Sequence, residues 1–454
     1  MEKKKPIGSY SGRLFCFFTV AAFLFAFSQY FTRELWFDEV LTLQFASLPS
    51  LTEIYHSYII PNNQIVHTWF IHAILNTGTP VELLRLFPLL CGAAVIFTLW
   101  KNFSREKGSF PLAAALAALA LSPPFLLYAS AIRGYMPAAL FSVCALCYAR
   151  KYALGSRLRH LAMWFIFSLL TVGVMPSALA GLAAAGLYVL PYCGKKFWKN
   201  RKIYLLALAP VLAFIIFYGP IHRDLQNAFA LKEGWHAPWG ALLATATAIA
   251  VTFAIPLIAA LFFHRPAIRY FPRTVIWFLP LGGLLLPVSP FPRVWFVLFP
   301  FFALLIAGYL RKVPVKYHRS VLYSVILWGV LTTLEPSRII LSPAVSCGGQ
   351  DDFYAPVFAR SRFKPSETAL FLKNFPGRPV FVSFDADPYS ILYYKADIMM
   401  DVPYNKYKIL PDNALVVLGT SENPNGYSAR FNGSLQTLHT TSTHTVYHFN
   451  RRSL

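Results

Sequence analysis

Repeated apolar segments, with basic clusters in alternate connections between them, constrain this chain more than any other feature. Residues 14–31 run for eighteen positions without a charge, long enough to cross a hydrocarbon core. Comparable segments recur to about residue 335. A backbone in lipid must satisfy its own hydrogen bonds, so these segments are read as helices. With 56% of residues hydrophobic and 13% charged, the chain lies outside the range of ordinary soluble domains. The formal charge of +22 raises nucleic acid as a partner. Its cations, however, form neither one block nor one amphipathic face. They sit in short clusters between apolar segments, as the positive-inside rule expects, with a share left for anionic headgroups. Membrane lipids are therefore the expected partners, and nucleic acid is not.

Basic clusters follow residues 81–100 (Lys101, Arg105, Lys107), precede 160–174 (Arg150, Lys151, Arg157, Arg159) and 203–220 (Lys195 to Lys202), and recur at Lys3 to Arg13, Arg265 to Arg273 and Arg311 to Arg319. Placing them in the cytoplasm puts the N-terminus there as well. It yields eleven spans, near 14–31, 81–100, 110–128, 134–150, 160–174, 176–193, 203–220, 240–263, 274–288, 293–310 and 320–335. The N-terminal lysines and first apolar run resemble a signal peptide without a convincing cleavage site, so an uncleaved anchor is expected. Residues 64–76 are too few to span and are laid along the outer interface, behind an amphipathic stretch at 48–58. Together they make a structured first loop over about 32–80.

Beyond residue 335 the composition turns polar. Helices are expected over 366–375 and 388–394, strands over 379–384, 414–418 and 443–449, and turns at Pro376-Gly377 and Asn425-Gly426. Cys347-Gly348-Gly349 reads as a flexible linker. The expected organisation is a helical membrane domain over 1–335 and a small α/β domain over 336–454. An odd number of spans places that second domain outside the cytoplasm. Five of the six cysteines lie in or beside apolar stretches, so no disulfide framework and no metal pair is read.

On that topology the outer face collects polar residues. Asp38 and Glu39 follow the first span in Leu35-Trp36-Phe37-Asp38-Glu39, and Asn63 and Gln64 lie further along the loop. Arg85 opens the second span, Tyr128, Arg133 and Tyr135 flank a later external turn, and Arg293 precedes the span at 293–310. A single arginine at a membrane edge is explained by snorkelling. Three on the side that carries two carboxylates fit a more specific chemistry. Carboxylates accept a proton from a nucleophile, and guanidinium groups grip a phosphate leaving group bidentately.

Several motifs in order carry a resemblance. They are Leu35-Trp36-Phe37-Asp38-Glu39, Pro61-Asn62-Asn63-Gln64, Leu84-Arg85-Leu86-Phe87-Pro88 through Gly92, Tyr128 through Tyr135, and Pro292-Arg293-Val294-Trp295. In order and topology the chain resembles the GT-C superfamily of polyprenyl-phosphate-sugar-dependent glycosyltransferases, over about residues 33–310. The nearest branch holds protein O-mannosyltransferases and aminoarabinose lipid A transferases. Gln64 stands where relatives often carry His, and Trp295 where they carry Tyr.

The resemblance implies that Asp38 is the base activating the acceptor. It implies that Arg133 and Arg293, with Arg85 a weaker candidate, neutralise the donor phosphate. Glu39, Asn63, Gln64, Tyr128 and Tyr135 would shape the sugar and acceptor site. The implied partners are a polyprenyl-phosphate-linked sugar and a lipid, glycan or protein acceptor, at the periplasmic face of a bacterial inner membrane. No cofactor is expected. Some relatives use a divalent metal, but too few external ligands accompany Asp38 and Glu39 to assign one. His67 and His72, five apart, are read as packing or interfacial residues. A transporter or flippase of lipid-linked glycans is the alternative, and it would place ionisable residues deep in several spans.

Overall fold

The structure, a computed structural model, describes residues 8–58, 63–193, 201–230, 238–263, 292–334, 364–395, 397–401, 406–420 and 422–451. The span expected at 274–288 and the Cys347–Gly349 linker lie outside these residues. The chain divides into two compact units: Met1–Ser28 with Phe45–Tyr354, and Gln29–Gln44 with Ala355–Leu454.

The large unit is helical. By length and composition, Val81–Lys107, Pro176–Cys193, Arg201–Tyr218 and Arg293–Leu310 are long and apolar enough to cross a membrane. Helices also cover the segments expected at 134–150 (Tyr135–Gly155), 160–174 (Leu158–Val174) and 320–335 (His318–Leu334). Two expected spans are broken. Ser109–Ala120 and Pro123–Ser130 meet at 62°, and Thr245–Thr252 and Ala254–Phe263 at 74°. The first break has a local cause. Ser122 restarts the helix, its Oγ accepting from the Phe125 amide at 3.4 Å, with proline at the first helical position. Residues 65–75 form the short helix Ile65–Leu75, and Ser50 caps Leu51–His56 by accepting from the Glu53 amide at 3.2 Å.

The small unit is built on a five-stranded sheet: β1 (Val380–Val382), β2 (Met399–Met400), β3 (Leu415–Gly419), β4 (Gly433–Thr440) and β5 (His444–Arg451), in the order β2-β1-β3-β5-β4. β1 runs parallel to β2 and β3, while β5 runs antiparallel to β3 and β4. Both faces are covered, which explains the unbroken apolar run of β3. On one face Val380, Val382, Leu415, Val417 and Val446 pack with Leu372 and Ile391 from helices. On the other, Phe381, Val416, Leu418 and Phe449 pack with Tyr427 and Phe431.

The strands β2 and β4 and one C-terminal helix depart from expectation. Asn425-Gly426 is not a turn but the first turn of the helix Pro424–Phe431, which Asn423 caps from outside. The edge strand β4 is mostly exposed and polar, so it lacks the alternating apolar pattern that marks half-buried strands.

Candidate functional site

The acidic pair begins a helix. Asp38 and Glu39 occupy the first turn of Phe37–Ala46, where negative charge meets the positive end of the helix dipole. Trp36 precedes the helix and has no side-chain acceptor to cap it. Glu39 supplies the missing contact by reaching back to the Trp36 amide at 3.3 Å, half of a capping box. The same Glu39 Oε2 takes the Arg33 guanidinium at 2.6 Å, and both side chains are 0% exposed. Glu39 is therefore committed to the frame of the turn. Asp38 is also buried, and a helix turns adjacent side chains about 100° apart, so its carboxylate leaves in another direction.

The stretch before this helix is tied into the small unit. Glu34 accepts from the Ser366 amide at 2.8 Å and the Ser366 hydroxyl at 2.5 Å, at the start of the helix Pro365–Leu372. The Phe37 ring meets Tyr389 edge-on at 4.8 Å between centroids. Nothing in the local sequence announces these partners, which lie more than 300 residues away. Arg33 was equally silent, because an isolated arginine after a span reads as a topology charge.

The other expected site residues belong to the large unit, where a turn gathers several of them. Gln64 Oε1 accepts from the Gly134 amide at 2.5 Å, joining the first loop to the Arg133-Gly134-Tyr135 turn. Any Cβ on Gly134 would stand 2.5 Å from Val174 Cγ1 and 3.0 Å from Gln64 Oε1, so only glycine allows this approach. Arg133 is buried, its guanidinium carbon 5.9 Å from the Tyr135 ring centre. Tyr135 packs against Tyr128 at 4.5 Å, and Tyr128 against Phe296 at 4.9 Å. Phe296 lies on the short helix Pro292–Leu298, which carries a half-buried Arg293 near its start. Arg85 is buried two residues before Phe87, whose ring stacks on His67 at 5.8 Å.

Asn63 has a structural occupation. Its Nδ2 donates to the carbonyls of Ile54 at 3.0 Å and Ser57 at 3.3 Å, and its Oδ1 accepts from Thr68 at 3.2 Å. His72 bonds the Ala46 carbonyl through Nδ1 at 2.8 Å. Among the described residues, no group of three or more His, Cys, Asp or Glu side chains is placed to hold a metal ion.

These features define a multi-pass helical membrane protein with a C-terminal sheet domain and an acid pair just after its first helix. Among solved structures, the chain shares its fold with ArnT from Cupriavidus metallidurans. In the apo state of that protein, the match covers 97% of this chain and 98% of the other, with a TM-score of 0.53 and 14% identity. For the same protein bound to undecaprenyl phosphate, coverage and identity are the same and the TM-score is 0.56. This is the fold that the resemblance in the sequence implied. No protein-family profile matches the sequence, and no curated protein matches it either.

Proposed function

We propose that this protein is an integral-membrane inverting glycosyltransferase. It moves a sugar from a polyprenyl-phosphate donor to a lipid, glycan or protein acceptor at the periplasmic face of a bacterial inner membrane. Asp38 takes a proton from the acceptor as the acceptor attacks the anomeric carbon. The bond from that carbon to the phosphate oxygen breaks, and the polyprenyl phosphate leaves with the bonding electrons. Arg133 and Arg293 neutralise the leaving phosphate, with Arg85 a lesser contributor, and Tyr128, Tyr135 and Gln64 shape the pocket beside them.

The observation that carries the single-base scheme is the unequal use of the acidic pair. A retaining mechanism needs two carboxylates facing one sugar ring, about 5–5.5 Å apart. Here Glu39 is bound to Arg33 at 2.6 Å and to the Trp36 amide, a framing role, and the scheme gives proton transfer to Asp38. The donor class draws support from the fold shared with a protein that binds undecaprenyl phosphate.

The test uses membranes carrying the wild type or Asp38→Asn, supplied with undecaprenyl phosphate bearing radiolabelled mannose or, separately, aminoarabinose. The expected result is normal expression with loss of label transfer. Unchanged transfer in Asp38→Asn would leave that residue without a catalytic role. Movement of the intact labelled lipid across the bilayer, without transfer, would favour a flippase instead.

A further inference from the structure

Asp387 opens the helix Pro388–Tyr394 at φ +52°, a left-handed conformation that costs energy in any residue but glycine. It is 2% exposed. Its Oδ1 accepts from the Ser390 amide at 3.1 Å, and its Oδ2 from the Ser390 hydroxyl at 2.6 Å. Those two bonds are an ordinary helix cap. The third bond is not. Oδ2 also accepts from the Phe37 amide at 2.8 Å, and Phe37 is the first residue of the helix that bears Asp38, 350 positions earlier in the chain.

One carboxylate therefore serves two helix N-termini, satisfying an end amide of each and facing the positive end of both dipoles. It does so at a cost. Burial pushes its pKa up to about 7, against the opposing pull of the Ser390 and Phe37 hydrogen bonds, and the nearby charge of Asp38 adds to the rise. An asparagine would cap the local helix without a buried charge. A carboxylate kept there, in a strained backbone, answers a demand beyond the local helix.

We propose that Asp387 is a positioning residue for Asp38: it fixes the first turn of the acid-bearing helix, and so the direction of the base, to the C-terminal sheet domain. Glu34 makes the converse contact, its carboxylate holding the start of the helix Pro365–Leu372 through Ser366. The two contacts cross, each segment lending a carboxylate to a helix of the other. The Phe37 ring, packed on Tyr389 and Phe384, fills the space beside them. The C-terminal domain thereby becomes part of the frame of the proposed base, whatever it does for the acceptor. This inference rests on the reading of Asp38 as that base.

The experiment has two arms on the full-length protein in detergent. In hydrogen–deuterium exchange, Asp387→Ala should speed exchange over residues 37–40 and leave strands β1 and β3 protected. Asp387→Asn, which keeps one acceptor, should fall between Asp387→Ala and wild type. Ser390→Ala removes only the local cap and should leave residues 37–40 protected. In transfer from the undecaprenyl-phosphate sugar used above, Asp387→Ala should lower kcat about 100-fold at unchanged donor KM, because a base misplaced by about 1 Å costs that much. Asp387→Asn should restore most of it.

Unchanged exchange at 37–40 in Asp387→Ala overturns the contact. Faster exchange with unchanged kcat overturns the positioning role. If Asp387→Ala loses protection in β3 and so fails to fold, the comparison of Asp387→Asn with Ser390→Ala decides, and equal loosening of 37–40 in both overturns the proposal. Should Asp38→Asn itself retain transfer, the base assignment falls while the exchange arm still reads the contact.

Discussion

The acidic segment in the small unit and the basic turn in the large unit are held by different physics. Around Asp38 the frame is electrostatic: Arg33 on Glu39, Glu34 on Ser366, Asp387 on the Phe37 amide. Around Arg133 packing carries more of the frame: Gly134 pressed against Val174 and hydrogen-bonded to Gln64, and a run of rings from Tyr135 through Tyr128 to Phe296. The difference matters for what each can tolerate. A directed hydrogen bond fixes an angle and fails when one partner is removed. A packed ring fixes a volume and yields to residues of similar size. On the roles proposed above, a base whose aim must be right would suit the first, and a cation that must sit against a phosphate would suit the second.

The largest effect expected is that of Asp38→Asn, a loss of about 10³-fold in transfer at normal expression, within the range of general-base catalysis. Next comes the electrostatic frame. Arg33→Ala leaves Glu39 buried without its cation and should destabilise the protein by about 3–5 kcal/mol, read as a fall in thermal midpoint in detergent. The double change Arg33→Met with Glu39→Leu should cost much less, since it buries no unmatched charge. Equal losses in the two would show that packing, not charge, holds the turn.

In the packed frame, Arg133→Ala and Arg293→Ala should each raise donor KM by roughly 10- to 100-fold, the worth of a charge-assisted hydrogen bond, with a smaller fall in thermal midpoint than Arg33→Ala. Undiminished donor use in both would remove the phosphate assignment. The smallest effect is in pH. Asp387 titrates near 7 in the folded protein against an ordinary value of 3.8. Between those values the folded protein keeps a proton that the unfolded chain has released. Its contribution to stability is therefore full below about 4 and is lost as pH rises through about 7. Asp387→Asn removes this titration, so its thermal midpoint relative to wild type should climb between about pH 4 and pH 7. His444, which burial pushes down to about 4, gains stability with rising pH, and this largely cancels between the two proteins. A flat difference would place the Asp387 carboxyl in water.

The membrane helices were legible because lipid imposes one rule on every segment, and the rule shows as length and hydropathy. Their breaks were less so. Ser122-Pro123 is a helix-start signal, but it sits inside an apolar run that hides it. In the C-terminal domain the buried strands β1, β3 and β5 stood out, whereas β4, an exposed edge strand, had no apolar pattern to read. At the candidate site the motifs marked Asp38, Arg133 and Arg293 by type and order. They did not show that Glu39 is bound to Arg33, nor that Asn63 is occupied by the carbonyls of Ile54 and Ser57.

What the sequence by itself determined is the class of solvent each segment meets and the chemistry available in order along the chain, because hydropathy and ionisable groups are properties of single residues. Which carboxylate is tied to a cation, and which distant aspartate holds the start of its helix, only the tertiary structure decided. Those assignments are relations between atoms, six residues apart in the first case and 350 in the second, and a hydrogen bond exists only where folding brings a donor and an acceptor within about 3 Å.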